Sequence, residues 1–175
     1  MITIGIDPGN IQSALAVYDG EKLISFGTYP NDVFFSCLKE EMYSLLEETG
    51  IIEWNKDMWM KKPEEIRNFR IYMETIQSYG MPVGQEVFDT CFFIGRLMDR
   101  FENHGMLYEM VKRTEIKLHH CNSTRAKDTN IKAALVERFG DRGTKAAPGF
   151  FYGVRGDEWS ACAIAVYGMD KLNKQ

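Results

Sequence analysis

The 175-residue sequence lacks the patterns that define several common protein classes. It has four cysteines, and the spacing of Cys37, Cys91, Cys121 and Cys162 matches neither a zinc motif nor a redox pair. No apolar stretch reaches the ~18 residues that a membrane-spanning helix needs, and no apolar leader opens the chain. We therefore expect a cytoplasmic protein with reduced thiols, no membrane association and a single domain over residues 1–175.

The chain also lacks a net positive charge, because its formal charge at pH 7 is −4. The charge is unevenly distributed: residues 112–155 carry ten Lys and Arg against four Asp and Glu, a balance of +6 that leaves −10 for the remainder. Such asymmetry fits a surface that contacts nucleic acid, although solvated loops also collect basic residues. The candidate phosphate contacts are Arg125, Lys127, Lys132, Arg142 and Lys145.

The apolar periodicity predicts an α/β domain in which helices flank a mixed five-stranded sheet. Strands are expected at 2–6, 12–18, 22–28, 68–73 and 116–119. Helices are expected from a cap at Asn31 to about residue 50, from 86 to 103, from a cap at Ser123 or Thr124 to 139, and from 157 to 171. Residues 51–66 show no clear period, and residues 140–156 read as a basic, Gly-rich loop.

Three acidic residues stand where α/β proteins place their functional sites. Asp7 ends the first predicted strand, Glu74 ends the fourth, and Asp157 opens the last helix. Asp7 and Glu74 lie side by side if their strands are parallel neighbours. Three converging carboxylates repel one another unless cations lie between them, and all-oxygen ligation suits Mg²⁺ or Mn²⁺. Asp157 has a second interpretation as a plain helix cap.

A second group of possible ligands, His119-His120-Cys121, is a weaker metal candidate. Adjacent residues of the strand predicted there would point to opposite faces of the sheet. The sequence therefore disfavours a metal site at these residues.

Four segments, in order, resemble the RuvC-type Holliday junction resolvases, in their phage-encoded branch. They are GIDPG with Ser13 after it, METIQSYGMPVG, FDTCFFIGR and GVRGDEWSACAIAV. The resemblance extends over nearly the whole chain. It implies a ribonuclease H-like fold, a homodimer and Mg²⁺-dependent hydrolysis of branched DNA, with Mn²⁺ as a substitute cation. It also implies that Asp7, Glu74 and Asp157 are the catalytic, metal-binding carboxylates.

The resemblance has a departure and leaves two roles open. Ser160 stands where the cellular enzymes usually carry another acid, and Glu158 is a possible additional metal ligand. Tyr79 is the aromatic nearest to the position that the family inserts near the junction centre, and residues 150–152 are a second aromatic group. The apolar helix 86–103 is expected either in the dimer interface or in the core.

The sequence thus predicts a dimeric, Mg²⁺-dependent endonuclease that nicks branched DNA in a bacterial cytoplasm. One alternative is a junction-binding protein with a weakened active site, which Ser160 suggests. The other is an ATPase of the actin or sugar-kinase type, since those proteins also begin with a strand, an acid and glycines. Such ATPases need a duplicated domain and a second phosphate loop, and the chain shows no repeat of its opening motif.

Overall fold

The computed structural model describes residues 1–48, 68–78 and 80–174. The described strands are β1 (Ile2–Asp7), β2 (Gln12–Asp19), β3 (Lys22–Pro30), β4 (Phe69–Thr75) and β5 (Tyr108–Lys112). The described helices are α1 (Phe34–Glu48), α2 (Gln85–Asn103), α3 (Arg113–Cys121), α4 (Asp128–Phe139) and α5 (Glu158–Leu172). The expectations for residues 51–66 and for Tyr79 lie outside the described residues. None of the helices in the described part is both long and apolar enough to span a bilayer.

The five strands form one mixed sheet in the order β3-β2-β1-β4-β5. β1 pairs antiparallel with β2, and β2 pairs antiparallel with β3. β1 pairs in parallel with β4, and β4 in parallel with β5. The predicted mixed five-stranded sheet with flanking helices is confirmed, and the carboxyl ends of β1, β4 and β5 lie at one edge.

Alternating side chains of the strands divide the interior into two cores, one on each face of the sheet. The first core lies against α1 and α2, and its members include Ile4, Ile6, Phe34, Leu38, Ile71, Met73, Phe93 and Phe101. The second core lies against α3, α4 and α5, and its members include Ala14, Ala16, Tyr72, Ile116, Leu135, Phe151, Ile164 and Val166. Burial of both sheet faces explains why the central strands are almost continuously apolar.

Helix α5 packs unusually close to β1 because the facing residues are small. A Cβ atom added to Gly5 would lie 2.1 Å from the carbonyl oxygen of Ala161 and 2.4 Å from the amide nitrogen of Ala165. On α5, a Cβ added to Gly168 would lie 2.1 Å from Cδ2 of Tyr72. The glycines therefore fix how near the helix lies to β1 and β4, and so where its first turn is placed.

The prediction of a strand at 116–119 is wrong, because these residues lie within α3. A strand would have buried Ile116 and Leu118 on one face, but Ile116 is buried and Leu118 is 52 % exposed, as on one side of a helix. The Glu115 carboxylate accepts a hydrogen bond from the Lys112 amide at 2.8 Å, and Asn122 ends the helix at a φ of 52°. The fifth strand is β5, which precedes α3 directly.

His119 and His120 are therefore helical residues, and each has a protein partner. His119 Nε2 lies 2.8 Å from Oδ2 of Asp170, and His120 Nε2 lies 2.9 Å from the carbonyl oxygen of Ala163. Burial lowers the pKa of His120, which favours the neutral ring that donates to this carbonyl. These contacts connect α3 to α5.

Two predicted helix caps are also placed differently. α1 begins at Phe34, and the Asn31 side chain binds the turn after β1 instead of capping this helix. α4 begins at Asp128, where Lys127 occupies the cap position and its amide donates to Asn130 Oδ1 at 2.9 Å. For α1 a contact between residues far apart in sequence takes the place of the predicted cap, whereas α4 begins three or four residues later with a local cap of its own.

Candidate acidic active site

Asp7 is presented by a tightly braced turn at the end of β1. The Gly9 amide donates to Ser13 Oγ at 3.1 Å, and the Ser13 hydroxyl donates to Asn31 Oδ1 at 2.7 Å. The Asn31 amide group returns to the Gly9 carbonyl at 2.9 Å. This closed set of hydrogen bonds joins the start of β2 and the end of β3 to the turn. Ser13, at its centre, is buried. The turn thereby fixes the position of the Asp7 carboxylate.

Glu74 lies beside Asp7 on the neighbouring parallel strand. The register pairs Ile6 with Met73, so each acid follows directly after a paired residue. Asp7 falls on the same face of the sheet as Gly5, and Glu74 on the same face as Tyr72, because side chains alternate along a strand. Both acids therefore face the side of the sheet that α5 covers.

The beginning of α5 completes the cluster. Asp157 is exposed and occupies the cap position before Glu158, the first residue of α5, and Ser160 lies about one helical turn further on. The Asp157 charge raises the pKa of Asp7, while a hydrogen bond from the Ser160 hydroxyl lowers it. Asp7 therefore interacts with both Glu74 and Asp157, and the Ser160 hydroxyl lies near it.

The electrostatics of this group make an ionised Asp7 costly. Burial, and after it the charges of Glu74 and Asp157, raise the pKa of Asp7 from 3.8 to about 7, although Arg113 and Ser160 act in the opposite direction. Burial also raises the pKa of Glu74, against the opposing effect of Arg113. Shifts of this kind cluster at functional sites, where a bound cation relieves the repulsion.

The donor chemistry of the cluster fits a hard divalent cation such as Mg²⁺. Its carboxylate oxygens are the ligand type that Mg²⁺ and Mn²⁺ prefer, and their repulsion would fall if a cation lay among them. Within residues 1–48, 68–78 and 80–174, however, no three His, Cys, Asp or Glu side chains are already arranged to hold a metal ion. The acids therefore supply the oxygen ligands and the negative charge that a divalent cation prefers, but their side chains are not already arranged around a cation position.

Arg113 and Asp128 are two members of the site that the sequence did not reveal. Arg113 Nη1 donates to Oε2 of Glu74 at 2.9 Å, and its Nη2 donates to Oδ1 of Asp128 at 2.6 Å. Arg113 is the first residue of α3, immediately after β5, at the same edge as Asp7 and Glu74. A prediction of the fifth strand at 108–112 would have placed Arg113 just after its carboxyl end, beside the two acids.

The raised pKa of Asp7 predicts how the metal-free protein responds to pH. The unfolded chain releases this proton near pH 3.8 and the folded protein near pH 7, so between these values the unfolded state binds fewer protons and stability falls as pH rises. We expect Asp7→Asn to stabilise the chelator-treated protein by up to about 4 kcal/mol at pH 8, since each pKa unit corresponds to about 1.4 kcal/mol. The gain should vanish near pH 4.

Urea unfolding of both proteins at pH 4 and pH 8 measures this difference. An Asp7→Asn protein with the same advantage at both values would show that Asp7 does not titrate with a raised pKa. A protein without any advantage would lead to the same conclusion.

Glu158 is engaged away from the acidic cluster. It is 4 % exposed, and its two carboxylate oxygens accept hydrogen bonds from the Thr28 hydroxyl at 3.5 Å and from the Arg155 amide at 2.9 Å. Adjacent helix positions point in different directions, so Glu158 and Asp157 diverge. The Glu158 carboxylate is therefore bound to β3 and to the residue two positions before Asp157.

The predicted basic contacts are exposed, and one of them lies at the acidic cleft. The exposed residues are Arg125, Lys127, Lys132, Arg142 and Lys145. Lys132 Nζ lies 4.6 Å from the ring centroid of Trp159, and both residues line a cleft with Glu74, Arg113 and Asp128. Trp159, which no sequence pattern marks as a site residue, thus forms part of the wall of this cleft.

The aromatic group at residues 150–152 is largely structural. Phe151 is fully buried, and the Phe150 ring stacks on Phe139 with centroids 5.0 Å apart and planes 19° apart. Only Tyr152 of the three is substantially exposed. Phe150 and Phe151 therefore anchor the Gly-rich loop to α4, which leaves Tyr152 as the member able to contact a ligand.

The fold has counterparts among solved structures. It is similar to the Thermus thermophilus RuvC structure, with 15 % sequence identity, a TM-score of 0.60 and coverage of 99 % of this chain and 97 % of that one. It is also similar to T. thermophilus RuvC in complex with a Holliday junction substrate, with 11 % identity, a TM-score of 0.61 and coverage of 99 % and 96 %. No protein-family model and no curated protein matches the chain. At these identities the likeness establishes the fold, and the chain has the ribonuclease H-like α/β fold of RuvC.

Proposed function

We propose that the protein is a structure-selective endonuclease that hydrolyses phosphodiester bonds in branched DNA, such as Holliday junctions and related forks. The observation that carries this proposal is that Asp7 ends β1 beside Glu74 on the parallel neighbour β4, and that Asp157 opens α5, the helix that covers this face of the sheet. The RuvC-like fold, seen elsewhere in complex with a Holliday junction, supports the choice of substrate. The phage-encoded branch stays a prediction from the sequence motifs.

Different residues of the chain would have different roles in such a site. Asp7, Glu74 and Asp157 would hold Mg²⁺, or Mn²⁺ in its place. When bound, these ions activate a water molecule and stabilise charge on the leaving oxygen. The Gly9–Ser13–Asn31 hydrogen bonds keep Asp7 oriented, and the close packing of α5 on Gly5 holds Asp157 and Ser160 opposite it. Preorganisation of this kind is what enzymatic charge stabilisation requires.

The basic residues around the cleft would position the DNA backbone. Arg125, Lys127, Arg142 and Lys145 are exposed, so they are free to contact phosphates, and such contacts place a duplex without reading its sequence. Lys132 lies beside Trp159 at the rim of the cleft. Its charge would therefore meet the phosphates nearest to the acids.

Removal of two of these charges should weaken binding to every DNA form alike. We expect Arg125→Gln combined with Lys127→Gln to reduce the slope of log affinity against log salt by about two units, close to one unit for each lost phosphate contact. Fluorescence anisotropy with junction and linear duplex over a range of salt concentrations measures the slope. As the control, Lys22→Gln with Lys174→Gln removes the same charge from exposed positions elsewhere. Equal slopes for the two double variants would remove Arg125 and Lys127 from the interface.

The proposed enzyme acts as a homodimer, and α2 offers a suitable surface. Phe88 and Phe92, one helical turn apart, are 50 % and 67 % exposed, whereas Phe93 and Leu97 on the same helix are buried in the first core. The core interpretation therefore holds for the face of Phe93 and Leu97, and the dimer interpretation is left to the face of Phe88 and Phe92. A two-fold dimer would present two acidic sites to the two strands of a symmetric junction.

A labelled four-way junction, incubated with the protein and Mg²⁺, tests the proposed activity. The expected result is paired nicks near the branch point, dependence on Mg²⁺ and little cleavage of a linear duplex of the same sequence. A protein that binds the junction tightly but leaves it intact in Mg²⁺ and in Mn²⁺ would contradict the proposal. That outcome would favour a second function, a branched-DNA-binding protein, which is supported by the contact of Arg113 with Glu74 and by a hydroxyl in place of an acid at Ser160.

A further inference from the structure

The acidic cleft contains a cation of its own, the guanidinium group of Arg113. Its two terminal nitrogens bind different carboxylates, Glu74 on β4 and Asp128 in the first turn of α4. The side chains of Arg113, Glu74 and Asp128 are 30 %, 13 % and 70 % exposed. The Glu74 contact is therefore the enclosed half of the bridge, and the Asp128 contact is the half that faces solvent.

This bridge occupies an oxygen that the proposed function assigns to a divalent cation. Arg113 donates to Oε2 of Glu74, and its charge also lowers the pKa of Asp7. A guanidinium and a divalent cation compete for Glu74, because each gains most from the full negative charge of the carboxylate. Asp128 keeps a bond to Arg113 if Glu74 releases it, so the guanidinium has a second partner within reach.

We propose that Arg113 is a positioning residue that exchanges between two states. Without a divalent cation it neutralises and holds Glu74, and when Glu74 binds a cation it stays paired with Asp128 alone. Arg113 thereby sets the cation concentration at which the site fills: its contact with Glu74 raises that concentration, and its contact with Asp128 lowers it. This inference rests on the proposed function, since it concerns the same carboxylate.

The two ends of the bridge predict opposite effects on cation binding. Arg113→Gln removes the competitor, so the Mn²⁺ concentration for half-saturation should fall by about tenfold, the scale of one charge-assisted hydrogen bond. Asp128→Asn removes the alternative partner, so Arg113 binds Glu74 more firmly and half-saturation should need several times more Mn²⁺. Arg113→Lys keeps the charge without the two-pronged geometry and should lie between the wild type and Arg113→Gln.

Thermal unfolding of the full chain against Mn²⁺, without DNA, measures these effects independently of cleavage. The rise in melting temperature gives the half-saturating concentration for each variant, because a ligand that binds the folded state stabilises it. Arg96→Gln, which removes an exposed arginine from α2, is the matched control and should behave as the wild type. Asp7→Asn, which should lose most of the rise, shows that the signal comes from the acidic site.

The outcomes separate this inference from the function on which it rests. Opposite shifts for Arg113→Gln and Asp128→Asn support the exchange. Unchanged half-saturation in both, while Asp7→Asn still abolishes the rise, overturns the exchange and leaves the metal-dependent site standing. A Mn²⁺ response that is the same in wild type and Asp7→Asn overturns both. If Arg113→Gln does not fold, an unchanged half-saturation for Asp128→Asn and Arg113→Lys is sufficient to overturn the exchange.

Discussion

Asp7→Asn is expected to reduce cleavage of a four-way junction by about 10²–10³-fold while junction binding is retained or becomes tighter. The side chain keeps almost the same volume, so the turn braced by Ser13 and Asn31 has no reason to change. What disappears is the negative charge among Glu74 and Asp157 that a cation would bind. The expected loss is on the scale of removing one preorganised electrostatic group from an active site.

Single-turnover cleavage with saturating protein separates this loss from any change in affinity. Asp19→Asn is the matched control, because Asp19 ends β2 at the opposite end of the sheet, where its carboxylate makes an exposed contact with the N-terminal amine at 3.6 Å. Such surface pairs contribute little to stability, so the control should cleave at the wild-type rate. Wild-type cleavage by Asp7→Asn would remove Asp7 from the catalytic group.

Gly5→Ala is expected to be the most destabilising single-methyl change in β1. The new Cβ would lie 2.1 Å from the Ala161 carbonyl oxygen and 2.4 Å from the Ala165 amide nitrogen, and neither backbone atom is able to move alone. α5 must therefore shift away from the sheet. Overpacking of this kind costs about 3 kcal/mol, which corresponds to a fall of roughly 6–12 °C in melting temperature for a domain of this size.

The same substitution on α2 provides the control. Gly95 is exposed in the helix interior, and a Cβ there would meet nothing within 4 Å. Gly95→Ala should therefore raise stability by about 0.5–1 kcal/mol, because alanine loses less backbone entropy in a helix. Thermal unfolding of the two variants measures both effects, and a Gly5→Ala protein as stable as wild type would contradict the described packing of α5.

Local sequence patterns were sufficient to predict β1, β4 and α5. The β-branched run before Asp7 and the turn after it identified β1, and the same reasoning placed Glu74 at the end of β4. The pattern at 157–171 predicts a helix whose small side chains allow close packing on a sheet. Local sequence therefore indicates that Asp7 and Glu74 stand at the ends of strands and Asp157 at the start of a helix.

The remaining features depend on contacts between residues far apart in the chain. A strand is predicted at 116–119, but these residues lie in α3, where Ile116 packs in the second core, and the fifth strand is at 108–112. That error concealed Arg113 at a strand end. The partners of Arg113, Glu74 and Asp128, are 39 and 15 positions away in sequence, so no local sequence pattern predicts that Arg113 bridges them. The role of Asn31 in the turn after β1 was hidden for the same reason.

The central claim is that three carboxylates at one edge of the sheet form a divalent-cation site. Anomalous diffraction from crystals grown with Mn²⁺ tests it most directly, since Mn²⁺ scatters anomalously and shares the ligand preferences of Mg²⁺. We predict a Mn²⁺ peak within coordination distance of Asp7 and Glu74, with Asp157 contributing directly or through water, and no such peak in Asp7→Asn crystals. Saturating Mn²⁺ that leaves these three carboxylates without a peak, or that binds only elsewhere, would contradict the account.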